Sequence, residues 1–252
     1  LAAMMPYLTD AFGNAASRSH AWGWGAEEAC EKARQQIARA IGAIDREIVF
    51  TSGATEASNL ALKGVAEAYA EKGKHVVTTA IEHPATLDTV AWLEQRGWRV
   101  TRLPVDKQGL VDPAALAAAI GSQTVIFSVL HGNNEIGTLQ PIGELGRICK
   151  RHGVLFHVDG AQAFGRVSLD VNEMGIDLLS LSAHKVYGPK GVGALYVRRR
   201  DPRVRLEAQL HGGGQERGLR SGTLNVPGIV GFGKAAELAS AHMPTDAGRV
   251  AL

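Results

Sequence analysis

The sequence predicts an α/β fold built on a mainly parallel sheet, and three observations carry that expectation. Short apolar runs alternate with amphipathic stretches from Glu47 to Val197, the signature of βα units. The amphipathic stretches close on glycine, and two of them carry proline near the start. Glycine and proline, 30 and 9 of 252 residues, are too few for a low-complexity chain and so act as punctuation between elements.

Seven apolar runs read as strands: IVF before Thr51, HVVTT at 75–79, WRVTRL at 98–103, TVIFSVL at 124–130, VLFHVD at 154–159, DLLSLS at 177–182 and GALYVR at 193–198. Between them lie helix patterns. GAEEACEKARQQIARAIG has glutamate in its first turn and glycine at its end, and TEASNLALKGVAEAYAEKG repeats Ala and Leu at helical spacing. PATLDTVAWLEQRG and DPAALAAAIG follow the same grammar, and a further helix runs from near Pro141 to near Gly153. The tally is a doubly wound, seven-stranded sheet with helices on both faces, uninterrupted by repeat or linker. The first residues read as a helix approaching a turn and TDAGRVAL as a helix under way, so the chain is expected to be a piece of a longer protein.

With 45% apolar and 21% charged residues the chain reads as soluble, and its length is sufficient for a substantial core. A net charge of +2 leaves no electrostatic footprint for nucleic acid; RRRDPRVR, from Arg198, reads as a solvated strand end or a partner patch. No apolar run approaches a membrane span, and the opening residues lack a basic signal-peptide start. Two cysteines, Cys30 and Cys149, make no disulfide framework, which favours a reducing, cytoplasmic setting. Both stand on helix patterns as packing residues. No histidine or cysteine has metal-ligand spacing.

In sheets of this kind ligands bind at the carboxyl ends of the strands. Unusual polar residues collect there. TSGATEASN follows the first strand: a small-residue turn entering a helix suits a phosphate, while Ser52 or Thr55 could equally cap the helix. AIEHPATLDT places His83 before a helix-starting proline, where it could stack on a flat ligand or simply cap. HGNNEIGTLQP crowds Asn133, Asn134 and Glu135 into one turn, a usage that turn geometry alone would explain. Asp159 closes an apolar strand, with Gln162 in the next turn, and DLLSLSAHK delivers Ser182, His184 and Lys185 to the same edge. Together these groups answer the needs of pyridoxal phosphate, which takes a lysine amine, a carboxylate at its pyridine nitrogen and a helix N-terminus at its phosphate.

FGNAASRSHAWGWGAEEA, IVFTSGATEASNLALKG, IEHPATLDT, HGNNEIGTLQPI, HVDGAQAFG, SAHKVYGPKGVGALYVRR and HGGGQERGLRSGTLNVPGIVG together resemble the cysteine desulfurases, within the class V aminotransferase-like enzymes of fold type I. The match runs along essentially the whole chain and is closest to the housekeeping enzymes that supply sulfur to iron–sulfur clusters and thiolated tRNA. The resemblance implies that Lys185 holds the cofactor covalently and shuttles protons, that His83 stacks on the ring, and that Asp159 pairs with the pyridine nitrogen. It implies further that Gln162 meets the ring hydroxyl, that Ala54, Thr55, Ser182 and His184 hold the phosphate, and that Asn134 lies beside ring and substrate. Thr223, in RSGT, would be lent to the phosphate of a partner subunit, which implies a homodimer. The family converts L-cysteine to L-alanine and leaves the sulfur as a persulfide on an enzyme cysteine, for delivery to a sulfur-accepting or cluster-scaffold protein.

The chain departs from that pattern at the persulfide cysteine, which in the family lies in a mobile Ser/Gly-rich loop beyond RSGT; neither Cys30 nor Cys149 matches it. The expectation is therefore residues 1–252 as the large, cofactor-binding domain, with both flanks of the small domain absent and apolar surface left where they belong. Two alternatives stand beside it: a selenocysteine lyase or small aminotransferase of the same superfamily, and a noncatalytic partner-binding scaffold.

Overall fold

All seven predicted runs form strands, and they join one sheet. A computed structural model describes residues 1–250, with β1 at Ile48–Thr51, β2 at His75–Thr79, β3 at Arg99–Leu103, β4 at Thr124–Leu130, β5 at Leu155–Asp159, β6 at Leu178–Ser182 and β7 at Gly193–Val197. The strand order is β1-β7-β6-β5-β4-β2-β3. Six strands share one direction, β3, β2, β4, β5 and β6 pairing parallel in turn and β1 lying beyond β7, which alone is reversed and pairs antiparallel with both β6 and β1. The reversal has a simple cause: between Ser182 and Gly193 the chain makes only a 3-10 turn, Ala183–Val186, and a glycine-rich bend, too little for a helical crossover.

Every residue of β1, β2, β4, β5, β6 and β7 is buried, as expected of strands covered on both faces. One face is covered by α1 (Ala21–Arg39), α4 (Pro113–Ala119), α5 (Ile142–His152) and α6 (Val226–Val250). The other is covered by α2 (Ala54–Ala68) and α3 (Pro84–Glu94). Phe127 and Phe156, on adjacent strands, stack at 5.7 Å in the larger core, and Phe164 meets Phe232 of α6 edge-on.

Element ends differ from the sequence reading in ways local chemistry explains. The first helix starts at Ala21, ahead of the predicted glycine, because the His20 ring accepts the Gly23 amide as N-cap. The second stops at Ala68, with Tyr69 as its C-cap. The opening residues form a short 3-10 helix, Met5–Leu8, in place of the α-helix expected, and Ala251 and Leu252 of the TDAGRVAL reading lie outside the described residues. The basic run is no purely solvated end, since Arg198 is largely buried, pairs with Asp177 at 3.3 Å and donates to the carbonyls of Val171 and Ile176. Both cysteines are buried, Cys30 on α1 and Cys149 on α5; burial pushes the Cys30 thiol up to about 12 and the Cys149 thiol higher still. Among the described residues no helix is long and apolar enough to cross a membrane, and no three His, Cys, Asp or Glu side chains come together as a metal site.

Candidate functional site

The carboxyl ends of β1, β2, β4, β5 and β6 open on one cavity of about 440 Å³, a volume in the range that accepts a small cofactor. Nine of the ten predicted site residues line it: Ala54, Thr55, His83, Asn134, Asp159, Gln162, Ser182, His184 and Lys185. Thr223 does not; it lies on a separate groove with Phe12, Trp22 and Asn225.

The cavity's anion end is the N-terminus of α2. Neither Ser52 nor Thr55 caps the helix; the N-cap is Gly53, with φ of 153°, and it contributes no side chain. A Cβ on Gly53 would meet nothing within 4 Å, so the space over this turn is open. The turn is packed from beneath by Gly193, where a Cβ would stand 2.6 Å from Gly53 Cα and 2.4 Å from the Leu181 carbonyl oxygen. Free amides of a 15-residue helix thus face the cavity with the positive end of its dipole. Ser182, buried at the end of β6, lies 2.9 Å from Nδ1 of His184, orienting that ring toward the same region. Burial, then the charges of Lys185 and Lys190, hold the His184 imidazolium below its usual range, leaving a neutral ring that can donate one N–H.

Asp159 sits at the opposite wall, 6% exposed. Burial pulls its carboxyl above the ordinary range, against the Ala161 amide at 3.0 Å and the charges of His83 and Lys185, which pull the other way. Among the described residues it has no salt-bridge partner. A buried acid without a cation is poised for one brought by a ligand. His83 caps: its Nδ1 accepts the Ala85 amide at 3.1 Å as the N-cap of α3, and the residue also lines the cavity. Asn133 turns the β4–α5 loop by accepting the amides of Glu135 and Ile136, which leaves Asn134 facing the cavity. Lys185 rides on the 3-10 turn after β6, half-buried, its carbonyl held by Arg166 at 3.0 Å.

Sequence reasoning missed four contributors. Lys190 and Gly191 complete the wall beside the phosphate-friendly turn. Glu56 accepts the Ser52 amide at 2.8 Å and Arg220 at 2.7 Å, tying the α2 N-terminus to the RSGT segment. Burial raises the Glu56 carboxyl, but its hydrogen bonds from Arg220 and Ser52 and the Arg220 charge outweigh that and hold it low. The acidic residue one turn into a helix was a readable signal; its partner 164 positions away was not.

The aminotransferase class-V family matches residues 1–248, so the chain belongs to that family. A protein named cysteine desulfurase IscS from Anaeromyxobacter sp. (strain Fw109-5) is 60% identical over 250 residues, covering 99% of this chain and 62% of that protein. A protein named cysteine desulfurase from Mus musculus is 57% identical over 250 residues, 99% of this chain and 54% of that one. Among solved structures, a NifS-like protein superposes with a TM-score of 0.93 at 41% identity, over 97% of this chain and 66% of that chain. A structure described as SspA in complex with cysteine gives 0.89 at 45% identity, over 94% and 67%. The chain thus spans about three-fifths of the length of the first curated relative it matches. The fold type, the strand set and the family expected from the motifs are all borne out.

Proposed function

We propose that this chain is the large, pyridoxal-phosphate-binding domain of a cysteine desulfurase, an enzyme that converts L-cysteine to L-alanine and hands on the sulfur as a persulfide. The observation that carries the reading is the convergence of Lys185, Asp159, His83 and the α2 N-terminus on one cavity. The residues fit the cofactor: a buried acid lacking a cation, an open anion-binding turn and a half-buried amine stand around a space of the right size. Bound there, the cofactor supplies an electron sink in conjugation with the substrate's amine.

The chain's own groups would do the rest. The amides of Ala54 and Thr55, the Ser182 hydroxyl and the neutral His184 ring bind the phosphate, anchoring one end. Asp159 would pair with the ring nitrogen, and Gln162 would bind the ring hydroxyl. His83, its orientation set by the Ala85 amide, confines the ring from one side. Lys185 would hold the cofactor through Nζ, and its amine would serve as base and acid for the substrate carbon. Asn134 meets ring and substrate.

Thr223, facing away from its own cavity on a groove flanked by exposed Phe12 and Trp22, fits donation to the phosphate of a second subunit. Leu1, Met5, Leu8, Phe12, Trp22 and Trp24 are exposed, and a partner subunit or the small domain would cover them. The working form is thus a homodimer, in the cytoplasm, serving a sulfur-acceptor or iron–sulfur scaffold protein. The names of the relatives at 57–60% identity favour this activity over the lyase, aminotransferase and scaffold alternatives.

The test is spectroscopic. Purified chain given pyridoxal phosphate should develop the visible band of a lysine-bound cofactor, resistant to dialysis, and Lys185→Ala should abolish it. A band that persists in Lys185→Ala would place the covalent site elsewhere and defeat the reading.

A further inference from the structure

One buried acid at this site has no part in the roles above. Glu82, the residue before His83, is 5% exposed and forms no salt bridge among the described residues. Its Oε1 accepts the Thr79 hydroxyl at 2.5 Å and the Leu130 amide at 3.1 Å; its Oε2 meets no hydrogen-bond partner. The β2–β4 pairing stops at Val77 and Phe127, so the Glu82 carboxyl serves the Leu130 amide past the end of that ladder. The next amide, that of His131, is taken by the Asp159 carbonyl at 2.9 Å, and Leu130 itself pairs with Asp159 across β4 and β5. Glu82 and Asp159 therefore grip consecutive residues of one strand end, and Leu130 and Asp159 both line the cavity.

An acid with one oxygen dry and unpaired resists ionisation, and the groups around Glu82 and Asp159 differ. His83 and Lys185 act on Asp159, which also receives the Ala161 amide and opens to the cavity. Glu82 has only its own neutral donors, Thr79 and the Leu130 amide, and His131, next to Leu130 in the chain, is itself buried, with Nδ1 unpartnered and its imidazolium driven down to about 4 by burial. An ionised Glu82 would leave Oε2 charged and dry.

We propose that Glu82 is a positioning residue that works as a neutral carboxylic acid: it fixes the Leu130 floor of the cavity and leaves Asp159 as the single negative charge for the ring nitrogen. Its effect on Asp159 rests on the cofactor reading; its protonation state does not. Burial, the largest influence, lifts the Glu82 carboxyl to about 8, its two donors pull it down, and Asp159 adds to the rise. A native state that keeps a proton the unfolded chain has lost is stabilised below pH 4.5 and loses that stability as pH climbs through 8.

The experiment compares wild type with Glu82→Gln, which keeps the shape and the neutrality, by urea unfolding of the cofactor-free chain from pH 5 to 8. Wild type should lose ground against Glu82→Gln with a slope approaching about tenfold in the unfolding constant per pH unit; parallel curves would overturn the proposal. Should the variant not fold, infrared spectra of wild type carrying 13C-glutamate decide it, because a protonated glutamate carbonyl at pH 7 is expected and its absence is refuting. Retention of added pyridoxal phosphate supplies the second readout. Glu82→Ala should weaken it about tenfold by leaving the Leu130 amide unpaired, and Glu82→Gln should restore it; equal weakening in both variants would mean that the charge is what matters. Absence of any cofactor band in wild type would count against the cofactor reading, while the unfolding and infrared results would still judge Glu82.

Discussion

Removal of Glu216 should be the costliest single change away from the cavity. Its two oxygens each lie 2.8 Å from the Arg34 guanidinium, and Oε2 also accepts the Phe50 amide at 2.7 Å. Both side chains are nearly dry, at 3% and 2% exposure, and Arg34 Nη1 also donates to the Ile48 carbonyl. Glu216→Ala strands a buried guanidinium with only Ile48 and the rim residue Glu31, and leaves the Phe50 amide unpaired. Breaking one side of a buried ion pair costs about 3–5 kcal/mol. For a chain of this size each kcal/mol moves the thermal midpoint ~2–4 °C, so the fall should be roughly 6–20 °C. Glu94→Ala is the control, because the Glu94–Arg102 pair is more than one-third exposed on both sides and should cost under about 1 kcal/mol. Replacing the buried pair together, Arg34→Met with Glu216→Leu, should recover most of the loss. Thermal unfolding followed by circular dichroism measures all three variants against wild type. A Glu216→Ala midpoint no lower than that of Glu94→Ala would refute the reasoning. The point bears on function because Glu216 pins the segment that delivers Arg220 to Glu56 and carries Thr223.

Gly193→Ala should weaken retention of pyridoxal phosphate about tenfold or more, because its Cβ would force apart the Leu181 carbonyl and Gly53 and spoil the anion turn; unchanged retention in an absorbance titration would show that turn free to shift. His157, fully buried between Ser128 at 2.8 Å and Ser180 at 2.9 Å, has its imidazolium driven down to about 3 by burial. The unfolded chain then binds the extra proton below pH 6.5, so stability present above that pH is lost as pH falls toward 3. His157→Gln should flatten this acid dependence in urea midpoints from pH 4 to 7, and an unaltered slope would contradict it.

Much of the fold is legible in the sequence because strands buried on both faces must be nearly all apolar, and here Ile48–Phe50, Thr124–Leu130 and Leu178–Leu181 are. The antiparallel β7 is less so: GALYV looks like any buried strand, and its direction follows from the short connection after β6. The site residues Asp159, Ser182, His184 and Lys185 were visible as polar groups where apolar runs stop. Glu82 was hidden beside His83, since an acid next to a turn reads as solvated until the neighbouring strand ends close over it. Likewise the Glu56–Arg220 and Arg34–Glu216 pairs bridge 164 and 182 positions, distances over which no local pattern reports.

What the sequence by itself determined is the list of parts and their order: strand, phosphate-friendly turn, His83, Asp159, Lys185, and a family resemblance spanning the chain. Local rules suffice for that, because side-chain period, caps and turn residues act over a few positions. Only the tertiary structure decided that nine of the ten chosen residues share one cavity while Thr223 faces another groove. It alone decided that a second buried carboxyl, that of Glu82, holds the amide of Leu130, the residue paired with Asp159 across β4 and β5. Convergence and burial are properties of strand order and of what covers each group, and charge follows burial: the same glutamate is an ordinary anion on an open turn and a neutral acid under a closed one.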